Sequence, residues 1–184
     1  MTAAIPRIGF EALAPALREQ LAPRVARLGY LGEFFQCTAH QPDVLAAFNL
    51  LTEALKTALP QRSIELVALT VAGLLDNRYE RHQHERLSAT LRYGAAWIAD
   101  VNRLDPSAAT ALSETERTLQ RLCIALVRGL GRGADDEIAT AVAVLGPAAT
   151  IGVLFAVGRY LTHSLIVNAL ALAPPVASIF EGAP

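Results

Sequence analysis

At 184 residues the chain suits one domain. Hydrophobic residues make up 53% and charged residues only 18%, against roughly a quarter charged in ordinary soluble domains. A monomer of this size would be short of polar surface, so burial of apolar surface between copies, as a homo-oligomer, is expected. The net charge of −1, with no local basic stripe, excludes a general nucleic-acid binder.

The first twenty residues have no apolar run flanked by early basic residues and do not read as a secretory signal. Residues 11–28 look helical, with interruptions at Pro15 and Pro23. A short helix follows over 31–40, ended by His40-Gln41-Pro42. Pro42 opens a helix to about Leu59, since proline suits a first helical turn. Pro60 starts another that runs to about Leu75. Asp76 reads as the N-cap of the next, from Asn77 to about Tyr93, stopped by Gly94. A short helix covers 95–103.

Ser113-Glu114-Thr115-Glu116 is a capping box, so a helix starts there and ends at Gly129. Asp135 and Asp136 suit the positive end of a following helix dipole, and that helix stops at Gly146. Pro147 begins a long last helix to about Leu172. Residues 141–158 carry no charge, the lower length limit for a membrane span. Gly146 and Pro147 break that run, and Arg159 and His163 follow it. It reads as the end of one buried helix and the start of another, and no membrane partner is expected. No convincing strand pattern appears. The fold class is therefore all-α: a compact, oligomeric bundle of seven to nine helices in a single domain over 1–184.

Two cysteines, Cys37 and Cys123, stand far apart and form no CxxC. They read as small buried apolar side chains in a reducing compartment, which makes the expected location cytoplasmic.

Residues 64–75 are apolar on nearly every face, and such a helix is buried. Glu65 is the only charge in that run. A buried carboxylate needs a partner or becomes protonated, because desolvation raises its pKa. A simple surface pair with Arg62 is the competing account. In the next helix Asn77, Glu80 and His84 are spaced three and four apart, which places them on one face, with His82 roughly opposite. Glu80 beside His84 is an acid–base pair whose carboxylate can orient the ring and raise its basicity. An ordinary exposed i,i+4 pair stays open, as does a metal set of Glu65, Glu80 and His84, which matches no known metal signature.

The stretch from His40 to Asn168 resembles the carboxymuconolactone decarboxylase and alkylhydroperoxidase-D-like family. Redox members carry a helical Glu, then twelve residues on a Cys, three on a second Cys and four on a His. Glu65, Asn77, Glu80 and His84 stand at those intervals, so Asn77 and Glu80 replace the two cysteines. Non-redox relatives show a Tyr-Glu-Trp-x-x-His stretch, here Tyr79-Glu80-Arg81-His82-Gln83-His84 with Arg81 in the Trp position. His40-Gln41-Pro42, the Leu59-Pro60-x-Arg62-x-x-Glu65 lead-in, Gly158-Arg159-Tyr160 and Asn168-Ala169-Leu170 add to the likeness. The family-like core spans about 40–170, preceded by a helical extension over about 1–39.

The resemblance implies an all-helical fold assembled as dimers, trimers or hexamers, with the site near an interface. It implies either decarboxylase-like chemistry or a dithiol peroxidase, and the second needs two thiols within disulfide reach. Asn77 and Glu80 supply none. The expected activity is therefore acid/base decarboxylation or isomerisation of a small organic acid, without cofactor or metal. His84 is assigned as general acid/base, Glu80 as the group that orients it, and Glu65 as a second proton carrier. Tyr79, Asn77, His40 and Arg81 or Arg159 are assigned to substrate binding. For each arginine the structural or interface reading is the stronger of the two, and His163 reads as an interface residue. An antioxidant peroxidase or disulfide reductase and a non-catalytic oligomeric relative are the alternatives.

Overall fold

The computed structural model describes residues 5–181. Among these, nine α-helices and one short 3-10 turn, Phe10–Ala12, account for all regular structure, and there is no strand. The helices are α1 (Pro15–Leu28), α2 (Glu33–Thr38), α3 (Pro42–Ala58), α4 (Gln61–Leu74), α5 (Arg78–Thr90), α6 (Ala95–Arg103), α7 (Glu114–Gly129), α8 (Asp135–Leu145) and α9 (Pro147–Ala169). The termini expected within the domain, 1–4 and 182–184, lie outside the described residues.

The hub is α4. Every residue from Ile64 to Ala72 is buried, Glu65 included, as an all-round apolar helix requires. It packs against α5, α7 and α9. Leu66, Val67, Leu69, Trp97, Ile98, Leu119, Leu122 and Val157 form the main core around it. The capping box at Ser113 and Glu116 starts α7 as expected. Glu116 also binds Arg62 at 2.6 Å and Trp97 Nε1 at 2.9 Å. Arg62 is therefore committed to α7 and does not pair with Glu65.

A second apolar cluster joins the N-terminal region to the ends of α5 and α9. It holds Leu17, Leu21, Phe34, Phe35, Leu45, Tyr79 and Val167. The helix α1 docks on α3 through Gln20, which donates to Ala46 O and accepts from Asn49. Pro15 sits at the first turn of α1 and starts the helix, while Pro23 lies inside it.

Three local expectations need correction. The N-cap of α5 is Asn77, not Asp76. Asp76 adopts φ +49° in the tight α4–α5 turn, so the chain is not ready to enter the helix until the next residue. The helix α8 is largely exposed, with Ala141 its buried residue, and Val142 and Val144 face outward. The last helix ends at Ala169, and Ala171 then takes φ +50°. The uncharged run divides between α8 and α9 as expected. Among the described residues, α9 is the one helix long and apolar enough to cross a membrane, and half of its most apolar window is buried inside the protein.

Candidate active site

The α4–α5 hairpin brings together the three groups singled out in the sequence. His84 Nδ1 lies 2.6 Å from Glu65 Oε2. Its Nε2 lies 3.3 Å from Glu80 Oε1. Glu65 is fully buried and takes a second hydrogen bond from Gln61 Nε2 at 2.6 Å. The ring of His84 meets the edge of Tyr160, with centroids 5.5 Å apart. Burial disfavours the imidazolium, but the carboxylates of Glu65 and Glu80 outweigh it and raise the His84 pKa to about 9. At neutral pH His84 is therefore a held cation.

Glu80 is the centre of the charge network. Arg159 Nη1 lies 2.9 Å from its Oε1, and His163 Nε2 lies 3.0 Å from its Oε2. Burial alone would push this carboxyl up. His163, His84 and Arg159 together hold it well below the usual range. Arg159 is itself buried, donates to Thr52 Oγ1 at 3.2 Å, and lies over the faces of Tyr160 and Phe48. His163 is buried against Phe34, ring centroids 4.1 Å apart, and desolvation lowers its pKa. Its Nδ1 accepts from the Asn77 amide at 3.4 Å, which leaves the proton on Nε2, facing Glu80.

Asn77 is not a cavity residue. Its Oδ1 caps α5 by accepting from Glu80 N, and its amide donates to Ser164 Oγ at 2.9 Å and to His163. The expected shared face with Glu80 and His84 gives way because an N-cap side chain folds back onto the first helical turn. Tyr79 is buried, accepts from Phe34 N at 3.3 Å and lines the cavity; burial pushes its phenol up. His40 is exposed, away from the cavity, with Nε2 2.9 Å from Pro6 O. Arg81 also lies off the cavity wall, 3.8 Å from Glu85. His163 is a buried partner of Glu80 and not the surface residue expected for an interface. Its i+4 spacing from Arg159 was the signal: both project from one face of α9.

The network opens on a cavity of about 440 Å³, in the size range of small-molecule sites. Glu65, Glu80, His84, Tyr79, Arg159 and His163 all line it. Its apolar wall comes from Leu28, Phe35, Ile64, Leu87, Tyr160 and Val176. The wall carries five Arg or Lys side chains against two carboxylates. Among the described residues no three His, Cys, Asp or Glu side chains are arranged to hold a metal ion. The carboxylates of the set left open as an alternative metal reading, Glu65 and Glu80, both face the His84 ring.

The cysteines are both free and buried, in different apolar clusters: Cys37 with the N-terminal helices, Cys123 in the main core. Burial pushes the Cys123 thiol up to about 12 and raises that of Cys37. Neither is poised as a thiolate.

No protein-family model and no curated protein matches this sequence. Solved structures do. The apo debrominase Bmp8 superposes with a TM-score of 0.82 over 96% of this chain and 94% of its own, at 12% identity. The alkylhydroperoxidase AhpD core of an uncharacterized peroxidase-related protein from Ralstonia eutropha JMP134 gives 0.80 over 92% and 90%, at 13% identity. A protein of unknown function from Agrobacterium tumefaciens gives 0.67 over 76% and 96%, at 22% identity. The fold implied by the sequence resemblance is the fold observed: the chain has the alkylhydroperoxidase D-like all-helical architecture.

Proposed function

We propose that this protein is a cofactor-free acid/base enzyme that decarboxylates or isomerises a small organic acid, with His84 as the general acid. One observation carries the reading: an imidazolium held between two carboxylates on the wall of a small-molecule cavity. The two contacts are unequal. Nδ1 is tied to Glu65 at 2.6 Å, whereas the 3.3 Å contact from Nε2 to Glu80 lies beyond the ordinary N–H···O range of about 2.7–3.2 Å. Glu80 retains Arg159 and His163 when that contact is given up. The Nε2 proton is therefore the one that His84 can hand to a substrate carbon.

In a decarboxylation the bond to the carboxylate breaks, CO2 leaves with the electron pair on carbon, and His84 protonates that carbon. Glu65 holds the ring in place throughout and stabilises the imidazolium that must be restored from solvent. Among the charged groups, Glu65 and Glu80 balance His84 and Arg159, so the remaining cations of the wall favour an anionic substrate. The dithiol peroxidase reading is disfavoured, because the two buried thiols lie in separate clusters and ionise poorly. Homo-oligomerisation and a cytoplasmic location belong to the same proposal. The outward Ile151, Phe155 and Leu165 of α9 form an apolar face suited to a second copy.

The test is turnover of a panel of unsaturated lactone acids in D2O, following CO2 release and deuterium at the carbon that is protonated. Turnover that disappears in a folded His84→Gln variant supports the reading. No turnover by the native protein, or full activity in His84→Gln, overturns it. Hydroperoxide consumption that stops when both cysteines are alkylated would move the assignment to the peroxidase.

A further inference from the structure

We infer that Arg24, on α1, is the receptor for the carboxylate of an organic acid bound in the cavity. The inference deepens the proposed function and rests on its small-acid reading of this cavity. It brings in a residue from the N-terminal extension, outside the segment that resembles the decarboxylases.

Besides His84, five Arg or Lys side chains line the cavity, and four of them are already engaged or face water. Arg159 is buried between Glu80 and Thr52. Lys56 is exposed and paired with Glu53 at 2.7 Å. Arg86 is exposed and its Nε donates to Ala177 O at 2.8 Å. Arg27 is exposed. Arg24 differs from all of these. Its side chain is 23% exposed, and its guanidinium has no hydrogen-bond acceptor among the described residues. Among the described residues its one ion-pair contact is Glu53 at 4.0 Å, a carboxylate that Lys56 already holds more closely.

Arg24 is a half-buried residue of the cavity wall, and its N–H donors, unlike those of Arg159, are not taken up by a protein acceptor among the described residues, so they remain open to a ligand there. Its plane is held over Phe35, 4.7 Å from the ring centroid, which fixes the fork while leaving the donor edges available. Burial and the nearby Arg159 both weaken the hold of Arg24 on its proton. An anion beside it would relieve both effects. Planar, bidentate recognition matches a carboxylate. The apolar wall formed by Leu28, Phe35, Ile64 and Tyr160 matches a hydrophobic body attached to that carboxylate, so the ligand class is an unsaturated or aromatic monocarboxylate.

Benzoate is a suitable probe, with benzamide as its neutral counterpart and inorganic phosphate as a bare oxyanion. Binding is measured by titration calorimetry on the intact protein. The expected result is saturable benzoate binding, weak benzamide and phosphate binding, and a loss of benzoate affinity of about tenfold or more in Arg24→Gln. Arg132→Gln, in the exposed α7–α8 loop, is expected to bind as the native protein does. Arg24→Lys keeps the charge but loses the fork, and is expected to lose benzoate affinity severalfold; it serves as the readout if Arg24→Gln does not fold. Absence of saturable benzoate binding, equal binding of benzamide or phosphate, or unchanged affinity in either Arg24 variant overturns the assignment. Failure here is distinct from failure of the catalytic reading. Benzoate binding through Arg24 without any His84-dependent turnover removes the enzyme and keeps the receptor. His84-dependent turnover with normal benzoate affinity in Arg24→Gln does the reverse.

Discussion

His84 and Glu65 meet at 2.6 Å across the α4–α5 hairpin, where the Glu65 carboxylate is fully buried. This contact has a pH signature. The folded pKa of His84, about 9, lies above its ordinary value of about 6.5. A raised histidine pKa contributes stability that is complete below about pH 6.5 and is lost as pH rises through 9. The loss is expected to be about 3 kcal/mol, seen as a falling urea midpoint between pH 6.5 and 9.5. His163, whose pKa burial lowers, contributes with the opposite sign, and only around and below its ordinary value of about 6.5, at the acid end of that window. In Glu65→Gln the His84 ring should titrate at least one unit lower by NMR. A His84 pKa left near 9 in that variant would show that the contact is not what holds the proton.

The Glu80–Arg159 pair is buried on both sides, so removing one charge strands the other. Glu80→Gln or Arg159→Met alone should each cost about 3–5 kcal/mol in chemical denaturation. The double variant should be less destabilised than the sum, with a coupling of about 1–3 kcal/mol. Additive losses would mean that the two charges are solvated independently.

Asn77 joins two tasks that a single substitution can separate. Asn77→Ala removes the α5 cap and should cost roughly 1–2 kcal/mol. Asn77→Asp keeps an acceptor for Glu80 N but has no N–H to give to His163 Nδ1. The His163 ring should then take up a proton on Nδ1 more readily, and its pKa should rise from its depressed value. Nitrogen chemical shifts of His163 across pH 5–8 measure this directly. An unchanged tautomer and titration would remove Asn77 from the network.

The thiols give a simple negative test. Burial raises both Cys37 and Cys123, so a disulfide reagent at pH 8 should label neither in the folded protein and both in denaturant. Rapid labelling of two thiols in the native state would reopen the redox reading.

Helical periodicity and burial of an apolar run were legible in the chain alone. The segment 64–75 had to be interior, Glu65 had to find a partner there, and Glu80 and His84 had to share a face, because these follow from 3.6 residues per turn and from the cost of desolvating a charge. The boundaries of α3, α6 and α7 followed from proline, glycine and the capping box. Local pattern does not carry how one helix crosses another. Arg159 and His163 become the partners of Glu80, and Arg24 reaches the cavity, only because α9 and α1 pack where they do. The turn at Asp76 likewise depends on how α5 folds back on α4, and it moves the cap to Asn77 and takes that side chain out of the cavity. Spacing placed Glu80 and His84 on one face of α5; long-range helix packing decided which charges surround them, since those contacts join segments that no sequence period relates.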